Sequence, residues 1–228
     1  MDDVATVAGV DRWRGGWVIV RESPDGVAID TAADFTALQV VVADCAVIAI
    51  DMPMALPRRG TRRAEVDLRA QLGSAGRSVF ISPTRAAIEA ADQSEATRIN
   101  RAHDGPGISA QAWGLAGSIR ELRASVPLDR DPTRWFETHP ERAFAEMNRG
   151  TPFDSKKTAR GVGQRLAVLR PVFDIDVLLR DGPPKVPVDD VLDACAAAWS
   201  ARRTCTGDAI LVGPAGRDDQ GFPLGVRI

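Results

Sequence analysis

The feature that most constrains the fold is an uninterrupted apolar run at residues 46–50, Ala-Val-Ile-Ala-Ile. A β-branched run of this length, without polar alternation, is typical of a strand buried on both faces. Such a strand lies within a sheet that helices cover on both sides. Asp51 ends the run, and Pro53 and Pro57 interrupt regular structure directly after it. The run therefore predicts a central strand with a carboxylate at its end.

The strands before this run are predicted to form an antiparallel meander. The paired glycines Gly15 and Gly16 favour a tight turn between the first two strands. A helix at residues 34–43, with Asp34 as its N-cap, then leads to the buried strand. Three antiparallel strands followed by parallel strands and helices predict a mixed sheet within an α/β fold. The strands are predicted at residues 4–10, 17–21, 26–30, 46–50 and 134–138, with edge strands near residues 210–212 and in the C-terminal tail.

The rest of the chain is predicted to be mostly helical. Residues 58–130 are predicted as a mostly helical insertion between the last two strands of the sheet. The chain has no internal repeat, and its 228 residues fit a single domain over residues 1–228. Helices are predicted at residues 61–72, 84–91, 94–103, 109–124, 141–147 and 188–203, with one or two more within residues 155–180.

The composition limits the location and the partners of the chain. The formal net charge of -2 disfavours a protein that coats nucleic acid with a broadly basic surface, but it is compatible with a locally basic site. The three cysteines show no metal-ligand spacing and suit free thiols in a reducing cytosol. No apolar run approaches the roughly 20 residues that span a bilayer, and the acidic N-terminus disfavours a signal peptide. We therefore expect a cytoplasmic protein without a membrane partner.

Acidic residues lie where the predicted elements end. Asp11, Asp51 and Glu137 end three strands of the sheet, and ligands of α/β proteins bind at the ends of adjacent strands. Asp190 and Asp193 are three residues apart, so they lie on one face of the last predicted helix. Carboxylates brought together repel one another unless a proton or a cation neutralises them. Because hard cations prefer oxygen ligands, Mg²⁺ or Mn²⁺ is the expected cofactor.

Each acid also has a structural explanation, which the spacing leaves open. An aspartate after a strand commonly belongs to a turn or a cap. Acids at residues 189 and 190 are favoured by the positive end of a helix dipole without any ligand. The coincidence of five acids at element ends is what favours a metal site.

A pair of lysines follows a predicted helix start. Asp154 or Ser155 is the predicted N-cap, which places Lys156 and Lys157 in the first turn, where the helix dipole disfavours cations. This arrangement indicates either a solvated surface or an anion site made of lysine charge and free N–H groups. His139 either orients a water or a ligand, or has a structural role.

Six short motifs occur in order over almost the whole chain, from about residue 5 to about residue 205. The motifs are Gly9-Val10-Asp11 with Arg14-Gly15-Gly16-Trp17, Ile50-Asp51-Met52-Pro53 with Leu56-Pro57, Ser78-Val79-Phe80 with Pro83, Glu137-Thr138-His139-Pro140-Glu141, Ser155-Lys156-Lys157-Thr158, and Asp189-Asp190-Val191-Leu192-Asp193-Ala194. Each motif alone is unspecific, but the ordered set resembles the predicted RNase H-like nucleases of domain-of-unknown-function family 429. The chain departs from that family at Arg12-Trp13, where Gly-Cys is common, and only loosely follows it at residues 218–221.

The resemblance implies an RNase H-like domain with a mixed five-stranded sheet and a carboxylate site. Asp11 and Asp51 would be the acids of the first and fourth strands. Asp190 and Asp193 would be the acids of the C-terminal helix, and these four aspartates are the expected metal ligands. Glu137 matches the family's motif without a firm counterpart among known nuclease acids, so it would either bind the metal or position a water.

The leading hypothesis is a metal-dependent phosphodiesterase, a nuclease that acts on DNA or RNA. Two alternatives remain open: a nucleotide-binding kinase or ATPase of the same superfamily, and a catalytically inactive binding or scaffold domain. A homodimer is compatible with all three hypotheses. The catalytic residues are expected to be Asp11, Asp51, Glu137, Asp190 and Asp193. Substrate binding is expected from Arg14, His139, Ser155, Lys156 and Lys157.

Overall fold

The chain forms a mixed five-stranded sheet in a computed structural model that describes residues 5–126, 128 and 133–228. The strands are β1 (Val7–Trp13), β2 (Gly16–Ser23), β3 (Gly26–Ala32), β4 (Val47–Ile50) and β5 (Trp135–Glu137). Their order is β3-β2-β1-β4-β5, with antiparallel pairing among the first three strands and parallel pairing of β1 with β4 and of β4 with β5. This confirms the predicted mixed sheet and agrees with the arrangement that the family resemblance implies. Residue 4, where the first strand is predicted to begin, lies outside the described residues.

The first strand does not end at Asp11, so that prediction is wrong. β1 continues to Trp13, because its last residues still pair with β2. The parallel pairing of β1 with β4, however, stops at Val10 opposite Ile50. Asp11 and Asp51 are therefore the first residues beyond the parallel pairing, and they lie next to each other where that pairing ends.

Nine α-helices flank this sheet in the described part of the chain. None of them is long and apolar enough to cross a membrane. The helices are α1 (Phe35–Val41), α2 (Arg63–Leu72), α3 (Gln93–Ala102), α4 (Ala110–Gly114), α5 (Ala116–Ser125), α6 (Pro140–Met147), α7 (Ala159–Leu169), α8 (Ile175–Asp181) and α9 (Val188–Thr206). Two 3-10 helices, Gly73–Ser78 and Ala87–Glu89, and a small antiparallel sheet of β6 (Leu211–Val212) and β7 (Val226–Arg227) complete the described elements.

The insertion is helical, as predicted, but two of its helices differ from the prediction. The helix expected at residues 84–91 is only the 3-10 turn Ala87–Glu89, because the chain leaves the helical conformation at Ala90 with ψ of 156°. The helix expected at residues 109–124 is broken into α4 and α5 next to Gly114, and glycine has a low helix propensity. Residues 127, 129 and 130 of the expected insertion lie outside the described residues.

The start of α7 also corrects a prediction. The N-cap is Thr158, whose hydroxyl accepts a hydrogen bond of 3.0 Å from the backbone N–H of Gly161. Neither Asp154 nor Ser155 is the cap, and the two lysines lie in the turn before the helix. The physical reason is that threonine is a good N-cap, and that this register keeps both cations out of the first turn, where the dipole opposes them.

The two faces of the sheet carry separate parts of the core, because side chains alternate along a strand. Val10 and Ile50 point to the face covered by α1 and α5. Ala49 and Phe136 point to the opposite face, where they pack against α9. Residues two positions further along each strand share the same face, which determines where the acids beyond the strands point.

The helix α9 lies directly against β1 at Gly9. A Cβ atom added to Gly9 would lie 2.0 Å from the backbone nitrogen of Ala198 and 2.2 Å from the carbonyl oxygen of Ala194. No side chain fits between the two backbones, and the neighbouring helix residues are small and fully buried. The small residues of this helix therefore let it lie close to the sheet.

Replacing Gly9 with alanine should therefore destabilise the fold. We expect Gly9→Ala to cost about 3 kcal/mol or more, since backbone atoms of α9 must move. For a chain of this size, that lowers the melting temperature by about 10 °C. The control is Gly163→Ala in α7, where an added Cβ meets nothing within 4 Å and should stabilise the helix by about 1 kcal/mol. Equal melting temperatures for the two variants would contradict this account of the contact.

Candidate functional site

The site begins with two aspartates from adjacent parallel strands. The backbone N–H of Asp51 donates a hydrogen bond of 2.9 Å to the carbonyl of Val10, so the strand pairing continues to the level of Asp11. Asp11 is two residues beyond Gly9, and Asp51 is two residues beyond Ala49, both on the α9 face of the sheet. The two carboxylates therefore lie side by side and point towards α9.

The helix α9, which covers this face of the sheet, contributes two more carboxylates. Asp193 is buried, and Asp190, one turn earlier, is half-buried. All four aspartates line a single cavity of about 550 Å³. The residues of the cavity wall that the sequence predicts for the site are Asp11, Asp51, Glu137, His139, Lys156, Asp190 and Asp193.

The crowding of these acids opposes their ionisation. Withdrawal from water and the nearby charges of Asp51 and Asp193 hold the pKa of Asp11 well above its ordinary range. The same two effects, with Asp193 as the main neighbouring charge, raise the pKa of Asp51 to about 8. Burial raises the pKa of Asp193 to about 6, although Lys156 acts against the shift. The cluster thus needs protons or a cation to balance its charge.

Lys156 supplies part of that balance. Its ammonium group donates a hydrogen bond to Asp193 Oδ2 and forms an ion pair with that carboxylate. The charges of Asp193, Asp11 and Asp51 together raise the pKa of Lys156, even though burial acts to lower it. One ammonium faces three carboxylates, so protons or a further cation must balance the remaining carboxylates.

The donor set of the cluster fits a hard divalent cation, which prefers carboxylate oxygens. Asp193 Oδ1 is buried and has no hydrogen-bond partner among the described residues, so an acceptor is available there. As placed in the described part of the chain, no three acidic, histidine or cysteine side chains surround a common metal position. Lys156 interacts with the same carboxylates, and a cation and the ammonium compete for them.

Glu137 lines the cavity but points to the other face of the sheet. It pairs in register with Ile50 on β4, whose side chain packs on the α1 face. Both carboxylate oxygens accept hydrogen bonds from the buried guanidinium of Arg62, at 2.9 and 2.7 Å. Glu137 Oε2 also accepts a hydrogen bond of 3.0 Å from the backbone N–H of Met54. The structure therefore gives Glu137 a bracing contact that joins β5, the start of α2 and the loop after Asp51.

His139 is the N-cap of α6 and also lines the cavity. Its Nδ1 accepts a hydrogen bond of 3.3 Å from the backbone N–H of Arg142. Burial and the nearby charge of Lys156 lower the pKa of His139 to about 4. The ring is therefore neutral near neutral pH, and with Nδ1 as the acceptor its proton lies on Nε2.

Three of the expected substrate-binding residues do not line the cavity. Arg14 is exposed in the turn between β1 and β2. Lys157 forms an ion pair with Asp189, and neither residue lines the cavity. Ser155 serves the local turn, since its hydroxyl accepts a hydrogen bond of 3.3 Å from the N–H of Lys157.

The structure adds residues to the site that sequence reasoning missed. Thr138 and Glu141 lie within the motif that begins at Glu137, so their motif was a usable signal. Glu65 and Arg77 belong to the insertion, where nothing in their spacing distinguishes them from surface residues. Arg77 is exposed, and its guanidinium has no hydrogen bond or ion pair with any residue that the structure describes.

The fold and the cavity define an α/β protein with a carboxylate-rich site where the parallel strands of a mixed sheet end. A family model described as protein of unknown function (DUF429) matches residues 9–217. The match includes every aspartate of the cavity, and the chain belongs to this family. The family description assigns no activity. No curated protein and no solved structure matches the chain.

The raised pKa values predict a stability that depends on pH. At these aspartates the folded protein binds protons more tightly than the unfolded chain, and this proton binding stabilises the fold. For Asp51 the stabilisation is full below the ordinary aspartate pKa of 3.8 and is lost as the pH rises through its raised pKa of about 8. We expect the melting temperature of metal-free protein to fall over this range in a calorimetric pH series. Asp51→Asn should flatten the decrease, because it removes one of the repelling charges. The exposed Asp176→Asn serves as the control, and an Asp51→Asn curve that follows it would refute the prediction.

The contact between Glu137 and Arg62 predicts a structural effect that differs from loss of a ligand. Glu137→Gln leaves the buried guanidinium without its closest charge partner, with only the carboxylate of Glu65 at 3.5 Å remaining. We expect a loss of about 3 kcal/mol in the free energy of unfolding, measured by chemical denaturation. Glu146→Gln, which breaks a more exposed pair with Arg142, should cost less than about 1 kcal/mol. Any rise in melting temperature caused by Mn²⁺ should survive in Glu137→Gln. If Mn²⁺ instead stops stabilising a well-folded Glu137→Gln protein, Glu137 is a metal ligand.

Proposed function

We propose that the protein is a metal-dependent phosphodiesterase that hydrolyses nucleic acid. The observation that carries this proposal is the convergence of Asp11, Asp51 and Asp193 from three separate elements on one cavity. Their raised pKa values indicate an arrangement that is costly without a cation. Proteins retain such a cost chiefly at functional sites.

The cavity residues divide into two proposed roles. Asp11, Asp51 and Asp193 would hold Mg²⁺ or Mn²⁺, with Asp190 as a further oxygen donor at the rim. When bound, these ions supply activation of a water and stabilisation of the leaving oxygen in phosphodiester cleavage. Nucleic-acid substrates bring phosphate groups, and the cavity offers cations for them.

Three side chains around the carboxylates are suited to the substrate. Lys156 would bind a phosphate oxygen once a metal ion replaces its charge beside Asp193. Arg77 would bind a phosphate at the cavity rim, since its guanidinium has no partner among the residues that the structure describes. The neutral His139 would donate a hydrogen bond from Nε2 to an oxygen of the substrate or to a water.

The direct test is hydrolysis of labelled single-stranded and double-stranded DNA, RNA and RNA–DNA hybrids in the presence of Mn²⁺. We expect cleavage of at least one substrate. Asp11→Asn and Asp193→Asn should each lower the rate by about a hundredfold or more. Asp176→Asn, at an exposed ion pair, should leave the rate unchanged. The melting temperature should rise with Mn²⁺ for the wild type and not for Asp193→Asn.

The alternatives give different results in the same measurements. Absence of cleavage, together with a melting temperature that does not respond to Mn²⁺, would leave a carboxylate cluster neutralised by Lys156 in a non-enzymatic domain. Stabilisation by ATP with Mg²⁺, without cleavage of any nucleic acid, would instead support the nucleotide-binding kinase or ATPase. Either result overturns the proposed nuclease.

A further inference from the structure

Two buried polar atoms on the cavity wall have no hydrogen-bond partner among the described residues. They are Glu65 Oε2 and Thr138 Oγ1, and they are additional to Asp193 Oδ1 of the aspartate cluster. Glu65 is only 3% exposed and Thr138 only 2% exposed. Buried polar atoms are nearly always hydrogen-bonded, so both atoms need an explanation. Both belong to side chains that line the same cavity as the aspartates, which points to a bound group.

The surroundings of Glu65 explain why Oε2 is left without a donor. The backbone N–H and the hydroxyl of Ser82 both donate to the other oxygen, Oε1. The guanidinium of Arg62 is also nearest to Oε1, at 3.5 Å, and its short contacts go to Glu137. Among the residues that the structure describes, the donors around Glu65 therefore contact Oε1, and none contacts Oε2. Burial raises the pKa of Glu65 although Arg62 and Ser82 act to lower it, in keeping with incomplete compensation of its charge.

Thr138 lies close to the aspartates of the cavity. Its backbone N–H donates a hydrogen bond of 3.0 Å to the carbonyl of Ile50, which places it level with Asp51 in the neighbouring strand. It is two residues beyond Phe136, so its side chain belongs to the α9 face, as do those of Asp11 and Asp51. The free hydroxyl is thus on the side of the sheet where the carboxylates converge.

The shape of the cavity limits what can reach these atoms. A volume of about 550 Å³ lies in the range of about 300–1,000 Å³ that holds one small molecule. The insertion contributes side walls from the 3-10 helix Gly73–Ser78 and from α4, and the apolar side chains of Leu68, Val79 and Phe80 add surface for a flat ring. A single nucleotide inserted into the cavity fits this space, whereas an intact duplex would remain at its rim.

We propose that Glu65 and Thr138 form a recognition subsite for a hydrogen-bond-donating group, an amino or hydroxyl group, of one nucleotide inserted into the cavity. The acceptor Oε2 requires a donor from the ligand, and the threonine hydroxyl can either donate or accept. This inference rests on the proposed function and deepens it, because it states which unit of the substrate enters the site. The same donor chemistry occurs on the sugar and on the base.

The test uses variants that change single atoms of the subsite. In Glu65→Gln the amide oxygen keeps the Oε1 contacts with Ser82, so the NH₂ group takes the place of Oε2 and turns an acceptor into a donor. Thr138→Val removes the hydroxyl at nearly constant volume, and Thr138→Ser retains it as the matched control. Because the two substitutions are made in separate proteins, failure of one variant to fold leaves the other as the test.

Binding of nucleoside monophosphates is measured by calorimetry and thermal shift, with and without Mn²⁺. We expect the wild type to bind at least one of them, Glu65→Gln to bind it about tenfold more weakly or worse, and Thr138→Ser to bind better than Thr138→Val. Weaker binding of the deoxynucleoside monophosphate than of its ribonucleoside counterpart identifies a sugar hydroxyl as the donor. A preference for cytidine over uridine monophosphate identifies an amino group of the base.

The outcomes separate this subsite from the proposed function. If nucleic acid is never cleaved but Glu65→Gln still weakens nucleotide binding, the subsite holds and the nuclease fails. If the wild type cleaves nucleic acid and Glu65→Gln has the same nucleotide affinity and the same KM, the subsite is overturned. It is also overturned if no monophosphate binds the wild type, or if Glu65→Gln loses the stabilisation by Mn²⁺, since Glu65 would then be a metal ligand.

Discussion

The contact between the backbones of α9 and β1 at Gly9 determines where the site can form. Asp193 precedes Ala194, whose carbonyl would lie 2.2 Å from a Cβ on Gly9, and Asp11 lies two residues beyond that glycine. The distance between the two acids is therefore set by backbone contact, which leaves little freedom for adjustment. Any side chain at Gly9 would move the helix away from the sheet and separate Asp193 from the acids of the strands.

The acids around the cavity differ in whether they have a cation of their own. Glu137 is held by Arg62, and Glu141 is held by the buried guanidinium of Arg165 at 2.8 and 2.6 Å. These paired acids brace the cavity wall. Asp11 and Asp51 share only the charge of Lys156 with Asp193, and one oxygen of Glu65 has no donor among the described residues. The incompletely compensated acids are the ones for which a ligand has a physical reason to bind.

Much of the fold could be predicted from local patterns, because those patterns depend on neighbours in the chain. The apolar run before Asp51 predicts the central strand, and the Asp34 cap of α1 is confirmed by its hydrogen bond of 2.8 Å from Ala37. The position of the lysines was predicted wrongly, because Thr158 competes as a cap. The continuation of β1 beyond Asp11 was missed, because it depends on pairing with β2.

The sequence by itself determined the order of strands and helices, the family, and the presence of carboxylates near the ends of adjacent elements. Periodicity and motif order carry that information without knowledge of the packing. Only the tertiary structure decided which acids share a site. Glu137 and Asp51 both lie at the ends of neighbouring strands, yet alternation in register turns one towards Arg62 and the other towards α9. Glu65 enters the site from a distant helix, because contacts between elements far apart in the chain are set by packing and leave no local pattern.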